Sequence, residues 1–507
     1  MPYSEHPLLG RARAKMKAER IVNRTRHFSV DSATTAPPPQ TAPPPNTATI
    51  ESVSPTPMAS PNRGASLNRR VFQLAWPVIS ENFLQTLLGI VDTLMVAQLG
   101  AFALAGVGTA IQIMFFVIAA LSATSVGSSV LVAQAVGARK FDTASHLAKQ
   151  SLVWSVLISV PLIGLGIYAA QPLIGMFGMA EDVTAIGVDY LRVTLVTVMA
   201  LTLLLIGGGV LRGVGDSRTP MLVTMLANVI NVVLDYGLIF GKLGMPEMGA
   251  VGSAWATFIS RVIGLALLLW VLWRGREGVS IRGAAGWLPQ MNAARDILRI
   301  GVPAALEQML ISVGFLFMTV VVARLGAEAM AAQRIALNAM SLSFLPGVGF
   351  GIAATALVGQ SIGARNQAEG KAVGRISTQW ALIWMSVLGL IFFVLAEPIM
   401  RLFTTEAPVI ALGAAGLRII ALTQPFWAIS IVQGGALRGT GNTRYPLRVN
   451  TAGIWCAVAL GTTFITLFGG DLGTIWTGFL ITGPMTAFLM WRRFTQSITQ
   501  EKLVAAV

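Results

Sequence analysis

Long apolar runs alternate with short polar breaks from residue 71 to near the end of the chain. An α-helix needs about 20 apolar residues to cross the hydrocarbon core of a bilayer, and the runs are long enough to do so. The breaks carry Gly, Pro, Arg and Lys. The pattern predicts twelve membrane-spanning helices near residues 72–97, 106–136, 146–169, 186–211, 220–240, 249–273, 296–323, 331–361, 375–396, 409–436, 446–468 and 473–491.

Composition supports a chain that folds in a membrane. Apolar residues make up 54% of the 507 residues and charged residues 11%, whereas a soluble globular protein carries about 25% charged residues. We therefore expect an all-α integral membrane protein with twelve transmembrane helices. The second and eighth expected helices are longer than the hydrocarbon core is thick, so they should tilt or protrude.

Several chemistries are excluded by residues that are rare or lie in the wrong place. The single cysteine, Cys456, lies in an apolar run and excludes a disulfide scaffold or a cysteine metal site. His6 and His27 lie in the N-terminal tail and His146 in a loop, which excludes histidine chemistry within the membrane. The net charge of +14 does not indicate a nucleic-acid partner, because the basic residues lie in the tail and in short loops.

The distribution of the basic residues predicts the orientation of the helices. Of the 36 Lys and Arg residues, 29 fall in segments on the same side as the N-terminal tail, and four fall in loops on the opposite side. Because basic residues are enriched on the cytoplasmic side of membranes, both termini are expected in the cytoplasm. We expect a monomer in the plasma (inner) membrane.

Residues 1–70 differ from the rest, because they hold eleven of the 24 prolines and ten basic residues. A Pro/Ala/Ser/Thr-rich segment cannot bury a core, so we expect a disordered, basic cytoplasmic tail. A further hypothesis is that translation starts at Met58, since the fold needs nothing before it. Residues 494–507 are expected to form a cytoplasmic C-terminal tail.

The chain repeats itself at an offset of 226 residues. The segment LVAQAVGAR of Leu131–Arg139 returns as LVGQSIGAR at Leu357–Arg365. The segment LRGVGDSRTP of Leu211–Pro220 returns as LRGTGNTRYP at Leu437–Pro446. After the fifth helix of each repeat the offset becomes 221.

Each repeat holds six expected helices, so both repeats insert in the same orientation and are related by an axis along the membrane normal. We assign residues 71–274 to an N-lobe, 275–295 to a cytoplasmic inter-lobe linker and 296–493 to a C-lobe. This symmetry predicts a transporter with a central cavity, in which one lobe moves against the other.

Two paired motifs are expected to act through the backbone. The Arg-Gly pairs at 212–213 and 438–439 are interpreted as cytoplasmic turns, in which Gly gives backbone freedom and Arg anchors at the lipid headgroups. Pro77 and Pro303 are expected near the starts of their helices, where a missing backbone hydrogen bond permits a hinge.

Few acidic residues lie within the expected helices, and each is costly in a bilayer unless it is paired or functional. Asp92 and Asp235 lie at similar depth in the outer half of the N-lobe, where they can share a proton or hold a small hard cation. Asn231 lies one helical turn before Asp235 and offers a further oxygen or an amide donor. The simpler interpretation is that the acids only brace helices. A functional role is favoured, because the repeat positions are Met318 and Gly461, whereas general bracing would recur in both lobes.

Two further acids do recur in the repeat. Glu81 and Glu307 occupy equivalent positions, so structural and functional roles are equally open for them. Arg261, midway along the sixth helix, is expected to be the ion partner of one of the acids rather than a guanidinium that reaches toward the headgroups.

At these residues the chain resembles the multidrug and toxic compound extrusion (MATE) family, over essentially all of residues 71–493. The matching features are the first-helix pattern around Asp92, the paired Leu-Arg-Gly motifs and the fifth-helix segment Asn231–Asp235. The resemblance implies an antiporter that exports cationic, amphiphilic compounds in exchange for protons or sodium by alternating access. It implies no cofactor besides the coupling ion, and partners limited to small organic cations and membrane lipids.

Within the family, the spacing resembles the DinF-like branch. The resemblance carries a site for the coupling ion (a proton or Na⁺) and the substrate onto Asp92, Asn231, Asp235 and Thr257. The expected mechanism is competition, in which the ion loads the two aspartates of the outward-open state and releases the organic cation. After the lobes close outside and open inside, the ion leaves to the cytoplasm.

The C-lobe offers secondary candidates. Glu307 matches the seventh-helix glutamate that other branches of the family use in that lobe. The tenth-helix aspartate of those branches is replaced, since Ser430 lies near Gln433 at that place. Gln433 therefore joins Glu81, Glu307 and Arg261 as a secondary candidate.

Two alternative functions compete with that of a multidrug antiporter. A flippase for lipid-linked or anionic lipids of the same wider superfamily would need a basic cavity, whereas mid-helix positions other than Arg261 are apolar or acidic. An intramembrane aspartyl protease is suggested by a GxGD motif that ends at Asp216. That residue lies in a cytoplasmic turn and its repeat counterpart is Asn442, so we expect a transporter and not an enzyme.

Overall fold

The computed structural model describes residues 66–499, and these residues form thirteen α-helices. Twelve of them are long and apolar enough to cross a membrane, which confirms the expected all-α fold. The expectations for most of the tail and for a start at Met58 lie outside the described residues. The helices are α1 (Leu67–Ala97), α2 (Ala101–Gly137), α3 (Phe141–Gly175), α4 (Glu181–Val214), α5 (Arg218–Phe240), α6 (Gly249–Arg274), α7 (Met291–Ala323), α8 (Ala327–Gly363), α9 (Gln367–Val394), α10 (Ala396–Arg401), α11 (Ala407–Gly439), α12 (Arg444–Phe468) and α13 (Leu472–Thr499).

Several helix ends differ from the expected ones. α1 begins at Leu67, inside the expected tail, and α7 begins at Met291, inside the expected linker. The short helix α10 was not predicted. Pro398 explains it, because proline has no amide hydrogen with which to continue α9. The chain restarts with this proline in the first turn of α10, where no backbone donor is needed.

Pro77 and Pro303 lie deeper in their helices than expected. Because α1 and α7 begin earlier than the apolar pattern indicated, both prolines fall in the helix interior, and both helices continue through them. An interior proline removes one backbone hydrogen bond of the helix. The expected position near the helix start is therefore wrong, whereas the hinge role stays a prediction.

Equivalent helices of the two repeats pack in equivalent ways. We use N-lobe for α1–α6 and C-lobe for α7–α13, while the exact lobe boundaries stay a prediction. α2 packs against α4 as α8 packs against α11, and α5 packs against α6 as α12 packs against α13. We call the side on which α1 begins and α13 ends the terminal side, and the opposite side the far side.

The hydrophobic cores show where the lobes meet. Among the described residues, one far-side core holds only N-lobe residues, such as Val96 and Leu191, and another holds only C-lobe residues, such as Met318 and Trp476. On the terminal side, the core of the C-lobe also contains Val71 from the start of α1. The lobes are therefore joined through their terminal halves.

Helix backbones of the two lobes are in direct contact at this junction. A Cβ atom added at Gly127 of α2 would overlap the carbonyl oxygen of Ile297 of α7. One added at Gly301 of α7 would overlap the carbonyl oxygen of Ala123 of α2. Only glycine leaves room for so close an approach.

The segment between α6 and α7 is bound to α3. Nζ of Lys149 lies 2.6 Å from the carbonyl oxygen of Arg282 and 2.8 Å from that of Ala285. The side-chain amide of Gln150 donates to the carbonyl oxygen of Gly286 at 2.8 Å. The carbonyl groups of this segment are not paired within a helix or strand. The bonds from α3 satisfy them and fix the linker against the N-lobe.

Candidate functional site

Three helices bring the four predicted N-lobe residues together. Asp92 lies on α1, Asn231 and Asp235 lie one turn apart on α5, and Thr257 lies on α6. α5 packs against both α1 and α6, so its polar face is enclosed by the other two helices. Asn231 and Asp235 are both 0% exposed.

The carboxyl groups of Asp92 and Asp235 are within hydrogen-bonding contact of each other. The Oδ1 atom of each is buried and has no hydrogen-bond partner among the described residues. When the amide of Asn231 is turned so that its nitrogen faces the acid, it donates to Oδ2 of Asp235 at 3.3 Å. In the same orientation its oxygen accepts from the backbone N–H of Thr257 at 3.1 Å. The site therefore holds a carboxyl pair in which each acid has one oxygen atom without a hydrogen-bond donor.

Two further residues, which no sequence motif indicated, complete the site. The hydroxyl group of Ser253 on α6 lies beside both Asp235 and the phenol group of Tyr190 of α4. Ser253 is 1% exposed and Tyr190 is 8% exposed, so both are enclosed with the acids. Ser253 lies one turn before Thr257 on the same face of α6, which is a signal that could have identified it. No sequence pattern links Tyr190 to the site, because only helix packing brings α4 there.

Arg261 lies between this site and Glu81. Its guanidinium is within electrostatic reach of both Asp92 and Glu81. Arg261, Glu81, Gln85 and Thr224 contribute to the lining of a cavity of about 20 Å³, which has room for about one water molecule. The structure places Arg261 beside two acids, but Arg212 makes the ion pair with Glu81, so the role of Arg261 as an ion partner stays a prediction.

Each lobe contains a glutamate–arginine ion pair at equivalent positions. Nη1 of Arg212 lies 3.0 Å from Oε2 of Glu81, and Nη2 of Arg438 lies 2.8 Å from Oε1 of Glu307. Asn450 donates to the same oxygen of Glu307 at 2.6 Å. Glu307 is 1% exposed. Because a carboxylate in a membrane is costly without a partner, these pairs give both recurring glutamates a structural role.

The expectation that the two Arg-Gly pairs form turns is wrong. The pairs at 212–213 and 438–439 lie in the last turns of α4 and α11. The left-handed φ angles that favour glycine occur two residues later, at Gly215 (104°) and Gly441 (85°). The arginines point into the lobes to bind glutamates, and no headgroup anchor is needed to explain them.

The C-lobe candidates have separate partners. Gln433 is 2% exposed and donates to Oγ1 of Thr378 on α9 at 2.9 Å. Ser430 lies 3.5 Å from the hydroxyl group of Thr486 on α13. Glu307 is bound by Arg438 and Asn450 instead, so these contacts do not join Glu307 and Gln433 in one site.

Asp216, the acid of the GxGD motif, closes the turn before α5. Its carboxylate accepts from the backbone N–H groups of Arg218 (3.1 Å) and Thr219 (3.0 Å), and Nε of Arg276 donates to it at 2.9 Å. Burial by itself raises the pKa of Asp216, but the bonds from Thr219 and Arg276 outweigh it and hold the pKa below its ordinary value. This ionised acid is committed to the turn, which removes the basis for an aspartyl protease.

A metal centre of several acidic or sulfur ligands is not indicated by the described residues. Within 66–499, no three His, Cys, Asp or Glu side chains lie close enough to hold a metal ion together. The N-lobe site offers two carboxyl groups with hydroxyl and amide oxygens, a set of hard oxygen ligands.

Comparison with known proteins agrees with the repeat and the fold. The MatE family model matches residues 77–237 and again residues 303–463, which repeats the 226-residue offset. "Probable multidrug resistance protein NorM" of Thermotoga maritima is 36% identical over 423 residues, which cover 82% of this chain and 89% of the relative. "Multidrug resistance protein NorM" of Burkholderia vietnamiensis is 30% identical over 446 residues, which cover 86% and 94%.

Solved structures show the same fold. A MOP superfamily transporter from Pyrococcus furiosus superimposes with a TM-score of 0.79 at 23% identity, covering 86% of this chain and 96% of that one. A multidrug resistance MATE family transporter of the MOP superfamily, solved in an outward-facing conformation, gives a TM-score of 0.78 at 24% identity, with coverage of 86% and 96%. Together with the twelve spans and the matched repeats, these likenesses place the protein in a known class: the chain belongs to the MatE family and is a multi-pass membrane transporter rather than an enzyme.

Proposed function

We propose that this protein is an ion-coupled exporter of cationic, amphiphilic compounds, and that the coupling ion and the substrate compete for the N-lobe site. The observation that carries the proposal is the contact between the carboxyl groups of Asp92 and Asp235, each with a buried oxygen that lacks a partner. Two carboxylates in contact repel each other, so the pair requires a shared proton or a cation. A site of this kind attracts positive charge and disfavours the phosphate of a lipid.

The relatives support export of small organic compounds, since those from Thermotoga maritima and Burkholderia vietnamiensis are named for multidrug resistance. The branch within the family stays a prediction. If the terminal side is cytoplasmic, as the basic residues predict, the junction of the terminal halves closes the protein toward the cytoplasm. The conformation is then the outward-open one, in which the proposed competition releases the substrate.

The proposed coupling ion is the proton. Direct contact between the two carboxyl groups fits one shared proton, whereas Na⁺ would have to enter between their oxygen atoms. In the outward-open state protons neutralise the carboxyl pair and release the organic cation. After the lobes close on the far side and open on the terminal side, loss of the proton restores the negative charge for the next substrate.

The proposal is tested by Asp92→Asn and Asp235→Asn in reconstituted vesicles that carry either a pH gradient or a sodium gradient. The expected result is that a pH gradient alone drives transport of an ethidium-like cation by the unchanged protein, and that both variants lose it. Asp189→Asn is the matched control, because Asp189 is an exposed acid of the same lobe, 3.6 Å from Arg192. Full gradient-driven transport by either site variant would show that coupling lies elsewhere, and transport driven by sodium alone would replace the proton.

A further inference from the structure

The two lobes exchange a pair of equivalent hydrogen bonds on the terminal side. Nε2 of Gln134 on α2 donates to the carbonyl oxygen of Gly439 on α11 at 2.9 Å. Nε2 of Gln360 on α8 donates to the carbonyl oxygen of Gly213 on α4 at 2.8 Å. The two donors are equivalent in the repeat, and so are the two acceptors. Each lobe therefore gives one donor and one acceptor to the other lobe.

The acceptors are suited to this role by their place in the helices. The last four carbonyl groups of an α-helix have no partner within the helix. Gly213 and Gly439 lie in the last turns of α4 and α11, so their carbonyl oxygens are free to accept from the other lobe. The partially negative end of the helix dipole favours a donor at the same place.

The donors are held at the crossing of α2 and α8. A Cβ atom added at Gly137 would overlap the carbonyl oxygen of Gln360, and one added at Gly363 would overlap the carbonyl oxygen of Gln134. The two helix backbones therefore touch next to both glutamines, which brings each side chain within reach of the opposite lobe. This explains why a glutamine and a glycine stand three residues apart in both copies of the motif.

The glutamate–arginine pairs fix the position of the acceptors. Arg212 directly precedes Gly213, and Arg438 directly precedes Gly439. Since Arg212 binds Glu81 and Arg438 binds Glu307 within their own lobes, each acceptor carbonyl is anchored to the interior of its lobe. The inter-lobe bonds therefore join two rigid bodies rather than two loops.

We propose that Gln134 and Gln360 form a reciprocal latch that holds the terminal-side gate closed, and that both bonds must break before substrate can enter from that side. A further hydrogen bond between the lobes runs from Arg70 of α1 to Glu369 of α9 at 2.6 Å. Because a carbonyl exposed by opening can bind water, each latch bond adds a modest stabilisation and can be broken in every cycle. The latch rests on the proposed alternating access, but it can be tested without transport.

The test measures the distance between the ends of α2 and α8. Spin labels are attached to Ala138→Cys and Ala364→Cys, two exposed and equivalent positions, after the exposed native Cys456 is changed to alanine. The double variant Gln134→Met/Gln360→Met keeps the side-chain length but cannot donate. Loss of two neutral hydrogen bonds is expected to raise the ratio of terminal-side-open to closed molecules by roughly tenfold. Each single change should give a smaller and similar shift, because the two bonds are equivalent.

Gln367→Met is the matched control, since Gln367 lies on the same side at the start of α9 and outside the latch. An unchanged distance distribution in the double variant, with thermal melting that shows a folded protein, overturns the proposal. A second arm cross-links the two cysteines with a short bifunctional thiol reagent. The reagent should leave substrate binding intact and abolish transport, whereas continued transport by the cross-linked protein would also overturn the proposal. Neither distance nor cross-linking depends on which ion is coupled, so failure of the proposed coupling site stays distinguishable.

Discussion

The two lobes share one helix arrangement, yet of the two repeat copies in the described residues only the N-lobe copy carries the acid pair of Asp92 and Asp235. The positions that carry Asp92, Asn231 and Asp235 in the N-lobe carry Met318, Ala457 and Gly461 in the C-lobe. Met318 and Ala457 are 0% exposed and belong to the same apolar core.

The helix pair that would carry the C-lobe site is packed without space. Gly478 and Gly416 stand at the positions of Thr257 and Tyr190. A Cβ atom at Gly478 would overlap the carbonyl oxygen of Ala457, and one at Gly461 would overlap that of Ile475. α12 and α13 are therefore in backbone contact at the positions where α5 and α6 carry Asn231, Asp235 and Thr257. One helix scaffold therefore supports either a pocket of acidic side chains or an apolar core, depending on side-chain size at a few positions.

What both lobes keep is the glutamate–arginine pair beside the lobe junction. The polar residue that also binds the glutamate differs between the lobes. Thr224 donates to Glu81 at 3.4 Å, whereas Asn450, at the equivalent position, donates to Glu307 at 2.6 Å. The glutamate–arginine ion pair, which both lobes share, stabilises each lobe. The carboxyl pair of Asp92 and Asp235, which only the N-lobe copy of the repeat has, carries the proposed chemistry.

The largest expected effect comes from giving the N-lobe the C-lobe residue. Asp92→Met removes one carboxyl group of the pair, so gradient-driven export in vesicles should fall to the level of protein-free vesicles. Met318→Leu, a change of similar size at the equivalent C-lobe position, should leave export nearly unchanged. Export by Asp92→Met at the normal rate would mean that the difference between the lobes has no role in coupling.

The shared ion pairs should respond in the same way in both lobes. Removing one partner of a buried ion pair leaves the other charge without compensation, at a cost of about 3–5 kcal/mol. We expect Glu81→Ala and Glu307→Ala to destabilise the protein by similar amounts, somewhat below that range because the arginines are partly exposed (11% and 27%). Thermal unfolding in detergent measures both, with the charge-neutral Glu81→Gln and Glu307→Gln as milder controls. A loss of stability confined to one lobe would contradict their equivalence.

A smaller effect should separate stability from function. Gly478→Ala adds a methyl group against the backbone of α12 and should destabilise the fold by about 1–3 kcal/mol. Thr257→Ala, at the equivalent N-lobe position, should melt close to the unchanged protein but show weaker coupling of export to the gradient. Melting curves and vesicle transport on both variants give the comparison, and the opposite pattern would show that the C-lobe position is the functional one.

The smallest effect concerns the turns before α5 and α12, where Asp216 corresponds to Asn442. Because Arg276 is 55% exposed, Asp216→Asn should cost less than about 1 kcal/mol at neutral pH. The pKa of Asp216 is lowered from 3.8 in the folded protein, so its stabilisation is present above pH 3.8 and is lost as the pH falls through the folded value. Melting of the two proteins should therefore differ at pH 7 and converge in strong acid. A difference that grew on acidification would reverse the assigned sign.

The sequence was sufficient for the architecture, because the architecture depends on local properties. A run of about 20 apolar residues identifies a membrane-spanning helix wherever it occurs, and a constant offset between motifs identifies the repeat without knowledge of contacts. The candidate acids could also be identified from the sequence, since a carboxyl group within an apolar helix is rare. Asp92 and Asp235 were selected in this way, and the structure places them in contact.

The partners of these residues were decided only by the tertiary structure. The sequence indicated headgroups as the environment of Arg212, whereas helix packing directs its side chain to Glu81, 131 residues away in the chain. Tyr190 joins the acids because α4 lies beside them, and Gln134 meets Gly439 because α2 crosses into the other lobe. Such contacts join groups that are distant in the chain, and their cost or benefit depends on burial and distance, which no local pattern encodes.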